Sequence, residues 1–458
     1  MPTPSSRSTV KAALHAHDVA PTRSMGQNFM TDADVARWIT EQLEIVPEDT
    51  IVEIGPGLGA LTQHLVGKGR RLVLLEKDPR LAARLRTELA GSGVEIVEGD
   101  ALHTDLRPYF KSQPVKVIGA LPYSCGTEIV RHFMDNPSPF CRGVFVMQLE
   151  VIDRICAAPS TSARGMLSLR VQARWIAENL STLPPEIFVP QPKVHSAVMA
   201  LTPRPRQELP TFDDQVFDRL LRMGFQQRRK MLRNMLPKHA RTWPDLAGEI
   251  GALETSRAEN LSLLQWVQLA RIYDEHLLKD LPQSGDEIFD LVDEQDHVIG
   301  QMPRRQVHAE HRLHRAVHIF AFNKHGELLL QKRSHLKDAM PEKWDSSAAG
   351  HLESGEDYHP AAVREVAEEL GIVTTAEQVT LLANIPPSAS TGFEWVGLFR
   401  VDHDGPVHFP SSEIECVAWF SIAEIQAWIA ARPQDFAEGF MICFQHFVQP
   451  PPTPPSAS

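Results

Sequence analysis

The chain has 458 residues, of which 43% are hydrophobic and 23% are charged, a composition typical of a globular protein and unlike that of a disordered chain. No apolar run reaches the roughly 18 residues that a membrane-spanning helix needs, and the N-terminus lacks the apolar core of a secretory signal. The five scattered cysteines include no C-x-x-C pair, so neither a zinc finger nor a dithiol redox motif is indicated. We therefore expect a cytoplasmic protein with no membrane partner.

The net charge of −12 is unevenly distributed along the chain. Residues 1–280 carry +2 and residues 281–458 carry −14, which together give the −12 of the whole chain. Residues 161–240 alone carry +7. This asymmetry predicts that the first part of the chain can bind a polyanion more easily than the second part.

Hydrophobic patterning divides the chain into two modules. From Ile51 onward, β-branched runs alternate with helical stretches, which predicts a doubly wound parallel α/β sheet. A purely helical pattern follows, and a second alternating pattern then begins, with a hairpin turn at residues 323–327. The predicted segments are a disordered N-terminus (1–20), a doubly wound domain (21–205), a small helical subdomain (206–280), a linker (281–287), an α/β/α domain (288–448) and a disordered Pro-rich tail (449–458).

A glycine-rich turn in the first module has the features of a cofactor site. Gly55 and Gly57 lie directly after one predicted strand and before a helix, where glycine lets the backbone approach a ligand closely. Glu76 ends the next strand, where its carboxylate can accept hydrogen bonds from ribose hydroxyls, and Asp100 ends the third, where it can accept from an adenine amino group. Because these acids would repel a pyrophosphate, the pattern favours S-adenosylmethionine over a dinucleotide.

Further motifs in the first module resemble one family in their order along the chain. Gly119-Ala120-Leu121-Pro122-Tyr123 follows the fourth predicted strand. Together with the glycine motif and its acids, these motifs resemble the small-subunit ribosomal RNA adenine N6-dimethyltransferase family over most of residues 20–280. The remaining motifs are Gly26-Gln27-Asn28-Phe29-Met30, Leu183-Pro184-Pro185 through Ser196, Phe225-Gln-Gln-Arg228-Arg229-Lys230, and Arg257 through Ser262.

This resemblance implies a site and a substrate. The substrate would be a pair of adjacent adenosines in a hairpin loop of 16S rRNA, with Leu121, Pro122 and Tyr123 at the catalytic turn. Tyr123 would stack on the extruded base, and backbone carbonyls would accept from its amine. The residues implied to line the S-adenosylmethionine pocket are Gln27, Asn28, Met30, Gly55, Gly57, Glu76, Asp100 and Ala120.

Position 120 departs from the family pattern, which is Asn-Leu-Pro-Tyr. The Asn side chain would accept an N–H of the target amine and so make its nitrogen more nucleophilic, but Ala120 offers no acceptor. Losing one such hydrogen bond typically costs on the order of 10²–10³ in rate. The sequence therefore leaves two hypotheses open: an active dimethyltransferase, and a catalytically weak or silent rRNA-binding assembly factor.

A third hypothesis, a large-subunit rRNA methylase of the antibiotic-resistance type, is disfavoured by the Pro-rich segment at residues 183–196.

Basic residues predict where RNA would bind, on a single helix over residues 219–241. In this context phosphate contact is favoured over a merely solvated helix face. The predicted RNA-binding residues are Arg222, Arg228, Arg229, Lys230 and Arg233.

The second module contains a longer and more specific motif. Residues 350–372 match the Nudix box, G-x5-E-x7-R-E-U-x-E-E-x-G-U, at every specified position. Helical spacing puts Glu365, Glu368 and Glu369 on one face, where they predict a Mg²⁺ or Mn²⁺ site completed by the carbonyl of Gly350. Arg364 is expected to orient Glu365, and the metal would activate water for attack on a small-molecule diphosphate.

The flanking sequence looks like the Nudix branch related to isopentenyl-diphosphate isomerase. That isomerase uses a cysteine near its metal, whereas no cysteine lies between Cys156 and Cys416 here, so hydrolysis is the favoured reaction. Glu413 and Glu415 are candidates for a further acid, with exposed charges as the alternative. We expect the histidines near the next strand to be structural or surface groups and not ligands; they are His308, His311, His314 and His318.

Overall fold

The computed structural model describes residues 6–16, 28–274 and 285–449. The chain divides into two compact units, the first comprising residues 1–210 and 214–273 and the second residues 211–213 and 274–458. Within the described residues, no helix is long and apolar enough to cross a membrane. Three sequence predictions fall outside the described part of the chain, wholly or mostly: the site residue Gln27, most of the linker, and the C-terminal tail.

A seven-stranded sheet forms the centre of the first unit. Five of its strands are parallel, and two antiparallel strands complete one edge, in the order β4-β3-β2-β5-β6-β9-β7. The direction in which successive strands are added to the sheet reverses between β2 and β5. In doubly wound sheets, a crevice opens at this position, at the carboxyl ends of the strands. The strands of this unit are β1 (Phe29–Met30), β2 (Thr50–Ile54), β3 (Arg71–Glu76), β4 (Glu95–Glu98), β5 (Val115–Ala120), β6 (Phe140–Gln148), β7 (Trp175–Leu183), β8 (Phe188–Val189) and β9 (Ser196–Pro203).

Helices cover both faces of this sheet, so its central strands are buried on both sides. Two separate apolar clusters result, one on each face: Val52 and Val117 belong to one, and Ile51 and Ile118 belong to the other. This is the alternation that successive residues of a strand produce. The helices of the whole first unit are α1 (Arg7–Ala16), α2 (Ala33–Glu41), α3 (Thr62–Leu65), α4 (Pro79–Glu88), α5 (Gly126–Met134), α6 (Leu149–Ile155), α7 (Met166–Gln172), α8 (Asp214–Phe225), α9 (Trp243–Glu249) and α10 (Leu263–Ile272).

Helix α1 corrects the prediction of a disordered N-terminus. Residues 7–16 are helical, and Val10 and Leu14 are buried. Arg7 also donates from its guanidinium to the backbone carbonyl of Glu186. The polar composition of the segment concealed the two apolar residues, spaced four apart, that dock the helix. Their apolar partners are Phe29, Leu58, Leu81 and Val189.

The predicted basic helix over residues 219–241 is also wrong, because α8 ends at Phe225. Past that point the chain turns, Met231 adopts an extended backbone, and the Leu232 amide donates to the carbonyl of Ser256, not to a carbonyl of α8. Leu232 is thereby buried, next to Gly224. Tertiary packing of one apolar side chain has overridden the helical periodicity.

The second unit is built on a mixed sheet and a hairpin. β12 pairs with β17 in parallel, whereas the other pairs in the sheet are antiparallel. The predicted turn at residues 323–327 is confirmed, since Phe322 pairs with Leu328 across it. The elements are β10 (Ile288–Val292), β11 (Val298–Pro303), α11 (Arg304–Ala309), β12 (His314–Phe322), β13 (Leu328–Arg333), β14 (Trp344–Asp345), β15 (Ala348–His351), α12 (Tyr358–Leu370), β16 (Thr380–Ile385), β17 (Glu394–Asp402), β18 (Ile414–Phe420), α13 (Ile422–Ala431) and α14 (Glu438–Val448).

Helix α12 carries most of the box motif and has well-defined ends. The Asp357 side chain accepts the amide of Tyr358 at its start, and Gly371 ends it in the left-handed region at φ 65°. The second half of the motif therefore corresponds to one helix, which begins after a side-chain cap and ends at a glycine. Overall, the predicted fold class is confirmed: a mixed α/β domain with a parallel sheet is followed by a second α/β domain.

Candidate functional sites

One cavity in the first unit lies at the carboxyl ends of the parallel strands. Each of β2, β3, β4 and β5 ends in or just before a predicted site residue, so the parallel sheet brings these residues to one edge. Gln27 lies outside the described residues. The predicted residues that line this cavity are Asn28, Met30, Gly55, Gly57, Glu76, Asp100, Ala120, Leu121, Pro122 and Tyr123.

The glycine turn packs closely against its surroundings, and the Gly55 amide donates to the Leu75 carbonyl at 2.9 Å. Gly55 and Gly57 have φ values of 64° and 58°, the left-handed region that favours glycine. A side chain at position 57 would place a Cβ only 3.1 Å from the Phe29 ring. The Gly57 amide donates to Glu76 Oε2 at 3.0 Å, which points this carboxylate into the turn. Burial raises the pKa of Glu76, although this amide and that of Asp78 partly offset the effect.

Asp100 is held by a lysine that the sequence analysis did not single out. Lys77 Nζ lies 2.6 Å from Asp100 Oδ2, and the Leu102 amide donates to Oδ1 at 3.1 Å. The hydrogen bond from Lys77 keeps the pKa of Asp100 below its usual value. The carboxylate is therefore ionised and oriented, as an acceptor for an exocyclic amine would need to be.

The turn after β5 carries the predicted catalytic residues. The Leu121 amide donates to the Val146 carbonyl at 2.9 Å, and the Pro122 carbonyl accepts the Gly126 amide at 2.8 Å. The Pro122 carbonyl is thus already used within the turn. Tyr123 is half-buried, and its hydroxyl lies 2.6 Å from that of Ser196, which also lines the cavity.

Sequence reasoning missed one buried acid in the same cavity. Glu53 is almost fully buried, accepts a hydrogen bond from the Thr62 hydroxyl at 2.7 Å, and lines the cavity together with Glu76. Burial raises the pKa of Glu53 to about 8. Its position directly before the glycine turn was visible in the sequence, but nothing there distinguished it from an exposed strand-end acid.

Glu53 gives the first unit a specific pH dependence. An unfolded glutamate titrates near pH 4.3, so between about pH 4.5 and 8 the native state binds one more proton than the unfolded state. The free energy of unfolding should therefore fall as pH rises through this window, by up to about 1.4 kcal/mol per pH unit for this one group. Urea denaturation should show that Glu53→Gln flattens this dependence.

The control for that measurement is Glu48→Gln, since Glu48 is an exposed acid a few residues earlier. Parallel pH profiles for wild type and Glu53→Gln would contradict the assignment of a protonated Glu53.

The predicted RNA-binding residues separate into two groups. Arg222 pairs with Asp218 within α8. Arg228 donates to Glu259 and to the backbone carbonyls of Ser162 and Arg164, so it links two segments of the unit. Within the described residues, the side chains of the remaining three make no hydrogen bond or ion pair, and all three residues are exposed; they are Arg229, Lys230 and Arg233.

The box motif of the second unit centres on Arg364. Its Nη1 donates to Glu365 Oε1 at 2.8 Å and to Glu368 Oε2 at 3.2 Å, and its Nη2 donates to Glu356 Oε2 at 2.8 Å and to the His351 carbonyl at 3.0 Å. One guanidinium therefore joins α12, β15 and the loop between them. This arrangement explains why the motif specifies an acid, an arginine and a second acid at fixed spacing.

Two of the three predicted carboxylates lie together in the interior. A Cβ at position 350 would stand 2.0 Å from Glu365 Oε1, so Gly350 is needed for this carboxylate to pack against β15. Glu369 accepts from the Ala349 amide at 3.0 Å. Burial, with the neighbouring Glu369, raises the pKa of Glu365 to about 8. Glu368 lies on the solvent side, so the three acids do not share one environment.

Further charged side chains lie close to these buried carboxylates. Lys337 is buried, pairs with Glu413 and lies 3.9 Å from Glu369 Oε1. Burial lowers the pKa of Lys337. Glu415 is also largely buried and lies 3.4 Å from Lys332. The alternative that Glu413 and Glu415 are merely exposed charges is therefore wrong.

Three histidines form a cluster, and two of them, His308 and His314, were predicted to be structural or surface groups and not ligands. The ring nitrogens of His308, His314 and His351 that could act as ligands lie within 4.8 Å of one another. Glu394 Oε1 lies 3.0 Å from His351 Nε2 and 3.5 Å from His314 Nε2. Burial lowers the pKa of His308 to about 4. Imidazoles beside a carboxylate are a donor set suited to a transition metal or Zn²⁺.

Strand pairing explains why this cluster was missed. His314 is the register partner of Glu394 across β12 and β17, and His351 pairs with Ala316, two residues further along β12. The other histidines are used differently: His311 packs on Phe393, and His318 bonds the Ser346 hydroxyl at 2.7 Å. The cluster and the box carboxylates meet at β15, where Gly350 and His351 are adjacent.

The first unit has the features of one class of enzyme. A doubly wound sheet with a glycine turn, two strand-end acids and a Pro-Tyr turn in one cavity defines a Rossmann-like methyltransferase fold. The chain belongs to the ribosomal RNA adenine dimethylase family, whose model matches residues 21–275. Residues 312–439 match the NUDIX domain. These families use S-adenosylmethionine and a divalent metal ion, respectively.

Two sequence relatives agree with this assignment. A ribosomal RNA small subunit methyltransferase A of Dinoroseobacter shibae is 39% identical over 272 residues, which cover 57% of this chain and 95% of the relative. The protein of the same name from Nitrosospira multiformis is 37% identical over 258 residues, which cover 56% of this chain and 96% of the relative. Among solved structures, the 23S rRNA methyltransferase ErmE matches at 25% identity with a TM-score of 0.46, covering 54% of this chain and 100% of that one.

Proposed function

We propose that the first unit dimethylates N6 of two adjacent adenosines in a hairpin loop of 16S rRNA, with S-adenosylmethionine as the methyl donor, in the cytoplasm. The observation that supports this most is the single cavity in which the predicted cofactor residues meet Leu121 and Tyr123. The 39% identity to a small subunit methyltransferase along nearly its whole length supports the choice of RNA.

The residues of the cavity have separate roles in this proposal. Glu76 accepts from the ribose hydroxyls, and ionised Asp100 accepts from the adenine amino group of the cofactor. When bound, S-adenosylmethionine supplies an electrophilic methyl group. The Leu121 carbonyl accepts an N–H of the target amine, since the Pro122 carbonyl is engaged by Gly126. Tyr123 stacks on the extruded base and holds it.

Cofactor binding is tested by isothermal titration calorimetry with S-adenosylmethionine. Asp100→Asn keeps the size of the side chain but replaces one acceptor oxygen with a donor, so the affinity should fall by about tenfold or more. The control is Glu95→Gln, which should leave the affinity unchanged, because Glu95 is an exposed acid at the start of β4, the strand that precedes Asp100. Equal affinities for the wild type and Asp100→Asn would remove Asp100 from the site.

A binding-only assembly factor is the second candidate for this unit. Ala120 supports it, because the side-chain acceptor expected at this position is missing while the rest of the cavity is intact. Both candidates bind S-adenosylmethionine and the small subunit, and they differ only in methyl transfer.

The RNA is proposed to contact Arg229, Lys230 and Arg233, which are exposed and make no ion pair within the described residues. Replacing all three with glutamine should weaken binding of the rRNA hairpin and reduce the slope of log K against log salt by about two to three, since each phosphate contact contributes roughly 0.9. Filter binding over a salt series measures this slope. A slope equal to that of Lys68→Gln, an exposed lysine elsewhere in the unit, would contradict the proposal.

For the second unit we propose metal-dependent hydrolysis of a small-molecule diphosphate. Glu365, Glu369 and the Gly350 carbonyl would hold Mg²⁺ or Mn²⁺, with Glu368 on the solvent side. Their fit is supported by two buried carboxylates in contact with β15, which need a cation to be ionised together. The bound ion supplies charge neutralisation for the diphosphate and a more acidic water.

The protein side of this reaction is carried by a few residues. Arg364 orients Glu365. The cleft that Gly350 lines is also lined by basic side chains that suit a diphosphate, namely Arg304, Arg305, Arg333 and Lys337. No cysteine precedes Cys416 in this unit, which favours hydrolysis over isomerisation.

A further inference from the structure

The Tyr123 hydroxyl has a buried partner that no role in the proposed reaction yet uses. Its oxygen lies 2.6 Å from Ser196 Oγ, and Ser196 is fully buried. Both residues line the cavity that contains Ala120. We propose that Ser196 is a positioning residue, which fixes the Tyr123 ring in the orientation needed to stack on the target adenine; this inference rests on the proposed methyl transfer.

Ser196 is well suited to act as a fixed point. It lies on β9 between two antiparallel neighbours, opposite Gln148 of β6 and Leu183 of β7. The preceding residue is also anchored, since the His195 carbonyl accepts the Leu149 amide at 3.0 Å. Strand β9 is hydrogen-bonded on both sides, so its backbone is held by the sheet. Because a serine side chain has only one torsion, χ1, few positions are then open to its hydroxyl.

The other end of the Tyr123 ring is held by the turn after β5. The Leu121 amide bonds the neighbouring strand at Val146, and the Gly126 amide closes the turn on the Pro122 carbonyl. Gly126 is also packed tightly, since a Cβ there would lie 3.1 Å from Met147. With its Cβ fixed by the turn and its hydroxyl fixed by β9, the ring spans the carboxyl end of β6.

This constraint matters more here because Ala120 provides no side-chain acceptor. The target amine is then oriented by the Leu121 carbonyl and by stacking alone, so a tilted ring moves the amine away from the methyl donor. Misplacements of about 1 Å can cost up to 10²-fold in rate. We expect Ser196→Ala and Tyr123→Phe each to lower kcat for methyl transfer by about tenfold, with little change in KM for S-adenosylmethionine.

The hydrogen bond itself is tested without activity. The chain has four tyrosines, so 3-fluorotyrosine labelling gives four ¹⁹F resonances, and the one lost in Tyr123→Phe belongs to Tyr123. Ser196→Ala should shift or broaden that resonance, and Ser196→Thr, which keeps the hydroxyl, should restore it. Ser181→Ala on β7 removes a hydroxyl outside the cavity and should leave it in place. An unmoved resonance in Ser196→Ala would overturn the proposal.

A double-mutant cycle tests the role in the reaction. If the two hydroxyls act as one unit, Ser196→Ala combined with Tyr123→Phe should lose no more than either single variant, and Ser196→Thr should recover kcat. Multiplicative losses, or a Ser196→Ala rate equal to that of Ser181→Ala, would overturn the positioning role. If the wild type transfers no methyl group, the proposed function fails instead, and the ¹⁹F comparison alone decides whether Ser196 holds the ring.

Discussion

Ala120→Asn should increase the rate of methyl transfer to small-subunit rRNA by about 10²–10³-fold. The amine of adenine is a weak nucleophile because its lone pair is delocalised into the ring. An amide oxygen at position 120 would accept one N–H and favour a tetrahedral nitrogen, while the Leu121 carbonyl accepts the other. Single-turnover kinetics with undermethylated small subunits measure the chemical step directly.

Ala120→Leu is the matched control, because leucine has nearly the size and shape of asparagine but no acceptor. It should leave the rate at or below that of the wild type. An equal increase in the leucine variant would mean that filling the cavity, and not hydrogen bonding, limits the reaction. An unchanged rate in Ala120→Asn would mean that the side-chain acceptor is dispensable in this chain.

Glu365→Gln should reduce metal-dependent diphosphate hydrolysis by about 10²-fold or more, since a metal site contributes several kcal/mol to the barrier. The substitution removes one buried carboxylate charge but keeps the side chain that packs on Gly350. Glu368→Gln should have a smaller effect, because Glu368 lies on the solvent side of α12. Phosphate release from a panel of diphosphates with Mg²⁺ or Mn²⁺ provides the measurement.

The exposed Glu377 supplies the control, and Glu377→Gln should hydrolyse at the wild-type rate. Methyl transfer by Glu365→Gln should also stay unchanged if the two units work independently. Hydrolysis that persists at the wild-type rate in Glu365→Gln would contradict the proposed metal site.

Features that depend on local sequence were predictable. The glycine turn with Gly55 and Gly57, the strand-end acids and the hairpin at residues 323–327 all follow from short-range spacing. The box motif likewise predicted that Arg364 would reach Glu365, because both lie on one helix. In each case the information is contained within a few consecutive residues.

Features that depend on packing between distant segments were not predictable in the same way. The histidine cluster forms because β12 pairs with β15 and β17 in one particular register, which periodicity does not specify. The supposed helix over residues 219–241 ends early because Leu232 is buried against another segment. Arg228 was predicted to contact phosphate, and the sequence did not show that it links two segments of its own unit.

Helical spacing also gave only part of the metal site. It placed Glu365, Glu368 and Glu369 on one face, yet β15 covers only the side that contains Glu365 and Glu369. The buried Lys337, which neutralises part of this charge, comes from a loop far from α12 in the sequence. Burial depends on the neighbouring strand, and a helical wheel does not include it.

We propose above all that the first unit methylates small-subunit rRNA. The most direct test incubates wild-type protein and labelled S-adenosylmethionine with small ribosomal subunits that lack adenine dimethylation, followed by mass spectrometry of the digested RNA. We predict N6,N6-dimethyladenosine at two adjacent positions of one hairpin loop, formed slowly in the wild type and faster in Ala120→Asn. Subunits that bind the protein but gain no methyl group with either variant would contradict the claim.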